Sequence, residues 1–230
     1  MNFEKFQTLN IKYLNLGALK NTHPTKNYLH YIGINPPGKF QNKIVDFKTG
    51  SLILHPDNKK EINNYSLKPL PFSIYHDIEL PIQYHDIELP IPLPNNSVDR
   101  IHSEDCFEHI EIAKYPNILK ELYRILKPGG LFRLAVPDYM NPKDRFCLKK
   151  GFDPRNNLHI TLTTYNLLKP ILEDSPFNVD FLHYWKNENE FIQNKIDYSK
   201  GYIKRTPDND ERNKGNNKLY VTSLVCDLTK

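Results

Sequence analysis

The sequence predicts an α/β fold organised on a mostly parallel sheet. Three observations carry this expectation. A short apolar strand, Val98 to His102, runs into a polar, acidic turn from Ser103 to His109; a helix-patterned segment follows; and Pro128-Gly129-Gly130 then leads into a second apolar strand ending at Pro137-Asp138. Two strands joined by a helical crossover lie parallel, and the connection is right-handed. Open parallel sheets bind ligands beyond the carboxyl ends of their strands. Ser103 to His109 and Pro137 to Tyr139 therefore fall on one functional edge.

The crossover helix is legible from spacing. Ile118, Leu119, Leu122, Ile125 and Leu126 recur at i, i+1, i+4, i+7 and i+8, with Lys120, Glu121 and Arg124 on the other side. Pro116 suits a first helical turn, where a missing N–H costs little, and Lys127-Pro-Gly-Gly supplies the stop. Upstream, Ile11 to Leu16 and Tyr28 to Ile34 are strand-like, ending at Gly17 and at Asn35-Pro-Pro. Residues 36–74 are rich in Pro, Asn and Lys, with Ser51 to His55 a short strand or hairpin arm. Tyr75 to Gln83 and Tyr84 to Pro92 are near-identical nine-residue units, a tandem duplication too short to stack as a solenoid. Downstream, Thr163 or Thr164 can cap a helix carrying Tyr165, Leu168, Ile171 and Leu172, kinked or ended near Pro170. Phe177 to Trp185 alternates like a strand, 186–217 is polar, and Leu219 to Leu228 is a further strand pattern.

Composition sets the bounds. A chain of 230 residues builds one sizeable core, so a single domain over 1–230 is expected, with 36–83 as an insertion. Hydrophobic content of 39% with 12% aromatic fits a globular protein, and no run approaches the roughly 20 apolar residues of a membrane helix. Met1 to Phe6 lacks the basic-then-apolar order of a secretion signal. Three cysteines without CxxC spacing point to a reducing, cytoplasmic setting and away from a disulfide framework. Neither they nor the histidines show metal-ligand spacing, so no metal site is expected. The net charge of +4, from 31 basic and 27 acidic residues spread along the chain, gives no basic stripe for nucleic acid.

The run Leu93-Pro-Asn-Asn-Ser-Val-Asp99, then Glu108-His109-Ile110, then Leu122-Tyr-Arg-Ile-Leu-Lys-Pro-Gly-Gly130 resembles the central and C-terminal part of the class I S-adenosylmethionine-dependent methyltransferases, within them the small "type 11" group. The resemblance implies a Rossmann-like sheet of seven strands, with an antiparallel C-terminal strand pair and helices on both faces. It implies S-adenosylmethionine as cofactor, with Asn15, Gly17 and Ala18 on its methionine portion and Asn35 on the ribose. Asp86 and Ile87 fall at the adenine edge, with Asp77 in a loop unless the duplicated copies are exchanged; Ser103 and Glu104 line the pocket, and Glu108 and His109 match the family's Glu-His pair on the cofactor. On the acceptor side His159 and Asp138 are the candidate catalytic residues; an imidazole near its unperturbed pKa of about 6.5 suits proton removal at neutrality.

Two departures stand out. The family's first loop carries several glycines, whereas here Leu19 follows a single Gly17, and Asn35 replaces the usual ribose-binding acid. A Cβ resists positive φ and crowds a ligand. The expected function is methyl transfer to a small-molecule or saccharide acceptor; a non-catalytic binding or scaffold protein on the same fold is the alternative. Lys204, Arg205, Arg212, Lys214 and Lys218, interleaved with Asp208, Asp210 and Glu211, read as a solvated mixed-charge loop or as a docking surface for an acidic acceptor. The sequence leaves the oligomeric state open.

Overall fold

The computed structural model describes residues 13–17, 93–144, 159–215 and 219–230, residues 87, 88, 90 and 91, and the backbone of the short strands 32–35, 43–45, 52–54 and 83–84. In chain order the strands and helices are β1 Tyr13–Leu16, β2 Ile32–Asn35, β3 Lys43–Val45, β4 Leu52–Leu54, β5 Gln83–Tyr84, β6 Val98–Glu104, α1 Tyr115–Ile125, β7 Leu126–Pro137, α2 Tyr165–Glu173, β8 Asn178–Asn187, β9 Glu190–Gln193 and β10 Ser223–Thr229. β3 and β4 form a separate hairpin, the arm expected around 51–55.

The main sheet has the order β5-β2-β1-β6-β7-β10-β8-β9. Its first five strands are parallel neighbours. β10 runs antiparallel between β7 and β8, the expected C-terminal arrangement. The sheet holds eight strands where seven were expected, because β9 folds back on β8 inside the stretch read as a polar loop. The Asn187 side chain accepts from the Asn189 amide at 2.9 Å and closes that turn.

α1 forms where its spacing places it. Ile118, Leu119, Leu122 and Ile125 are buried, Pro116 sits in the first turn, and the chain passes straight into β7 at Leu126. Burying one such aliphatic side chain is worth about 1.5–3 kcal/mol. Pro128 to Gly130 lies within β7 as an irregularity, the pairing jumping from Val98↔Leu126 to Arg100↔Leu131. Gly130 is required there, since a Cβ would meet the Lys127 carbonyl oxygen at 2.8 Å. Thr164 caps α2, accepting from Leu167 N at 3.3 Å, and the helix continues three residues past Pro170 to Glu173.

Alternation sorts the strands between two faces. Leu14, Leu16, Ile101, Phe132, Leu134, Val136, Leu224 and Cys226 form one core with the buried sides of α1 and α2. On the opposite face Ala135, Leu182 and Val225 pack with Ile196 and Ile203. Among the described residues that second face is covered by the chain between β9 and β10 rather than by a helix. Arg133 is buried there, bonded in two places to Asp227 across the β7–β10 pair (2.7 and 2.8 Å) and to the Asp197 and Gly201 carbonyls (2.8 and 2.7 Å). The segment read as solvated is therefore stitched to the sheet.

Arg124 fixes the approach to β6. Its guanidinium donates to the Leu93 carbonyl (2.8 Å), the Ile91 carbonyl (2.8 Å), Asn95 Oδ1 (2.7 Å) and the Glu121 carboxylate (2.7 and 2.8 Å). Glu121 in turn accepts from Ile91 N at 2.6 Å. Arg124 thus ties the Leu93-Pro-Asn-Asn-Ser run to the end of α1.

Candidate active site

Strand order reverses between β1 and β6, and that switch point is where an open parallel sheet leaves a crevice. The register aligns the strand ends: Leu16 lies opposite both Ile34 and Ser103. β6 extends to Glu104, two residues beyond its expected end at His102, because Ser103 and Glu104 continue the ladder with Leu134 and Ala135. The chain then turns at Asp105, whose φ of +52° is tolerated by a short polar side chain.

Gly17 turns at φ +71° at the exit of β1. A Cβ on it would lie 2.6 Å from Cys106 Cβ and 2.8 Å from its Sγ, so the glycine is demanded by close packing across the switch point as well as by its torsion. Asn15 is buried in β1 between Gly33 and His102, and Asn35 ends β2. β5 spans the junction of the duplicated units and pairs Tyr84 with Asn35, so the second copy leaves the sheet beside the end of β2. Ile87 is buried just beyond it. Ala18, Leu19 and Asp86 lie outside the described residues.

Several expected site residues have structural partners. Ser103 is fully buried in the sheet. Glu104 Oε1 accepts the Lys204 and Arg205 amides at 2.7 and 3.1 Å, tying the end of β6 to the segment before β10. Asp138, expected as a base, has both oxygens occupied: Oδ2 by Trp185 N at 2.7 Å and Oδ1 by Met140 N at 3.0 Å. Burial nonetheless lifts its pKa to about 6. Its geometry is that of a brace joining the exit of β7 to β8. Arg205, read as available to an acidic acceptor, is instead buried against Asp144, Nη2 to Oδ2 2.6 Å, and Arg212 is paired with Asp210 at 2.7 Å.

Three of the expected residues converge. Glu108 sits on a single 3₁₀ turn, Phe107–His109, and is fully buried. Its backbone carbonyl accepts from Ile160 N (2.8 Å) and Thr161 N (3.0 Å), and Thr161 Oγ1 donates to the Ile110 carbonyl at 2.6 Å. This clamp carries His159 to the turn. His109 Nε2 and His159 Nε2 stand 3.8 and 3.9 Å from Glu108 Oε1, and the imidazole rings meet edge-on with centroids 4.8 Å apart. Tyr139 Oη lies 2.5 Å from His159 Nδ1. Tyr139 was legible only as part of the strand-exit edge, since nothing in its spacing marks it as the partner of a histidine twenty residues on.

The electrostatics of this cluster follow from burial. Neither carboxylate oxygen of Glu108 has a hydrogen-bond partner among the described residues. Desolvation, reinforced by nearby Asp105, holds its pKa well above the usual carboxylate range. Burial, then the charges of His109 and Arg205, push His159 down to about 4. His159 is thus neutral around pH 7 and a weaker base than the unperturbed imidazole expected from sequence.

A five-stranded parallel core with a reversal at β1/β6, an antiparallel strand inserted between β7 and β8 and an acidic turn after β6 make a Rossmann-like α/β sheet. Residues 63–134 match a type 11 family model described as a methyltransferase domain, a span holding both repeat units, β5, β6, the Glu-His turn, α1 and much of β7. The methyl donor of that family is S-adenosylmethionine. No curated protein matches the chain. It is similar to a methyltransferase from Archaeoglobus fulgidus named as S-adenosylmethionine-dependent, at 15% identity over 99% of this chain and 90% of that one, TM-score 0.49. It is also similar to an S-adenosylmethionine-dependent methyltransferase from Mesorhizobium loti, at 11% identity over 99% and 95% of the two chains, TM-score 0.48.

Proposed function

We propose that this chain transfers the methyl group of S-adenosylmethionine to a small-molecule or saccharide acceptor. The observation that carries the reading is the register of the sheet, which brings the exits of β1, β2 and β6 side by side at the switch point. The acidic turn Glu104-Asp105-Cys-Phe-Glu108 lies there, a favourable setting for a sulfonium cation. When bound, the donor supplies an electrophilic methyl carbon; the protein's part is to hold it in line with an acceptor lone pair, and such alignment is worth up to about 7–11 kcal/mol. In this reading Asn15, Gly17 and Ala18 bear the methionine end, Asn35 the ribose, Asp86 and Ile87 the adenine, and Glu108 and His109 also face the cofactor. His159 lies on the acceptor side.

Titration calorimetry with S-adenosylmethionine and with its demethylated product tests this. Saturable heat with both ligands is expected; no heat and no thermal shift at millimolar ligand would refute it. The scaffold reading is favoured by one specific feature, the packing of Gly17 on Cys106 in a loop with a single glycine. It predicts that refuting outcome.

A further inference from the structure

We propose that Glu108, His109 and His159 form a site for one divalent transition-metal ion at the carboxyl edge of the sheet. Each residue offers one ligand atom, and the three atoms lie within 4.8 Å of one another. Two imidazole nitrogens and one carboxylate oxygen form a donor set for Zn²⁺, Fe²⁺ or Co²⁺ rather than for an all-oxygen cation such as Mg²⁺. Such ions hold N and O ligands at about 2.0–2.2 Å, so three side chains drawing together by roughly an ångström would enclose one and leave positions open on the solvent side.

The second, independent observation is the carboxylate itself. Glu108 is fully buried, and neither of its oxygens has a hydrogen-bond partner among the described residues. A buried carboxylate without a partner is costly, and a coordinated cation is one of the few arrangements that relieves it.

The surroundings are built for ligation. If His159 Nδ1 carries the proton and donates it to Tyr139 Oη, Nε2 is left as a lone pair facing Glu108, the outer-shell pattern that orients metal-bound histidines. The backbone clamp from Ile160 and Thr161 to the Glu108 carbonyl fixes the spacing of the two arms. Arg205, the cation beside the cluster, is held by Asp144 at 2.6 Å and by Asp105 at 3.7 Å. His109 is the most exposed of the three ligands, so the site opens toward solvent on its side.

The test uses untagged full-length protein stripped with a chelator, titrated with Co²⁺ by visible absorption and with Zn²⁺ by calorimetry. One ion per chain is expected, with d–d bands of a low-coordinate N/O site. Glu108→Gln and His159→Gln should each weaken binding at least tenfold, and Tyr139→Phe, which keeps all three ligands, by about tenfold. Absent bands and heat at millimolar metal overturn the site, as does unchanged affinity in Glu108→Gln, which would mean that the two histidines alone had captured the ion. Tyr139→Phe serves if a ligand variant fails to fold. Donor binding is measured on the same metal-free samples: donor without Co²⁺ binding sinks the cation site alone, and Co²⁺ without donor binding sinks methyl transfer alone.

Discussion

Glu108→Gln gives a test of the buried carboxylate without any ligand. In the metal-free protein the Glu108 carboxyl is desolvated and unpartnered, so the folded state holds its proton more tightly than the unfolded chain does. The sign follows from linkage: an acid with a raised folded pKa costs nothing below its unfolded pKa of about 4.5, and stability falls as pH rises above that value toward the folded pKa. Glutamine keeps the shape and removes the titration. Both side chains leave a buried polar group, so the quantity to read is the change with pH of the difference between variant and wild type. Leaving one buried polar acceptor unsatisfied costs about 1–3 kcal/mol, and more when it is charged. Taking about 2 kcal/mol, and about 2–4 °C per kcal/mol for a chain of this size, Glu108→Gln should gain roughly 4–8 °C in melting temperature on the wild type between pH 4 and pH 8. Scanning calorimetry or circular-dichroism melts in chelator provide the measurement. A difference that stays flat with pH, or runs the other way, would show that the carboxylate is solvated or paired.

Other perturbations read the frame around the site. Arg124→Ala removes five hydrogen bonds that hold the approach to β6; because the guanidinium is partly exposed, a loss of about 2–3 kcal/mol is expected in denaturant melts, and a loss under 0.5 kcal/mol would show the clamp to be ornamental. Asp144→Ala removes the shortest ion pair of the buried Arg205 guanidinium and leaves the 3.7 Å contact to Asp105, which should cost about 2–4 kcal/mol and loosen the segment before β10 in hydrogen exchange. Gly17→Ala combines a positive φ with overlap on Cys106 and should cost about 2–5 kcal/mol. A companion Cys106→Gly should return the steric part, and no recovery would place the strain elsewhere. His159, held at about 4 against an ordinary 6.5, binds its proton less tightly when folded, so its contribution is present above pH 6.5 and lost as pH falls toward 4. Partial exposure limits this to about 1–2 kcal/mol, and His159→Gln should flatten that part of the acid limb.

The fold was legible where a local pattern and its partner lie close in sequence. Ile118, Leu119, Leu122 and Ile125 mark α1 by period, and Lys-Pro-Gly-Gly marks the passage to β7, because both signals act within a few residues. β9 was not legible, since Glu190 to Gln193 has no apolar alternation of its own and is held by a side-chain turn at Asn187. The burial of Arg133 and Arg205 was equally hidden: a charged residue, in an apolar strand or in a polar stretch, reads as solvated unless its partner is known, and Asp227 and Asp144 lie far along the chain. Of the site, the edge itself was predicted from topology, and Glu108, His109 and His159 were each singled out. Their meeting was not, because it depends on two backbone hydrogen bonds from Ile160 and Thr161 that no spacing rule encodes.

The acids at this edge divide by what occupies them. Glu104 is satisfied by two backbone amides, Asp138 by two more, and Asp144 by a buried arginine. Each converts a charge into a brace between elements that meet only at the end of the sheet. Glu108 alone among these four has two buried oxygens with nothing to accept from, and it faces two imidazoles at distances too long for a hydrogen bond. A side chain kept in that state serves no packing purpose that glutamine or leucine would not serve better. Chemistry at the cluster gives it a use, whether an ion or an acceptor proton supplies the positive charge. The pH dependence of Glu108→Gln and its Co²⁺ titration separate those two sources, since only the ion survives at a pH where no imidazole is protonated.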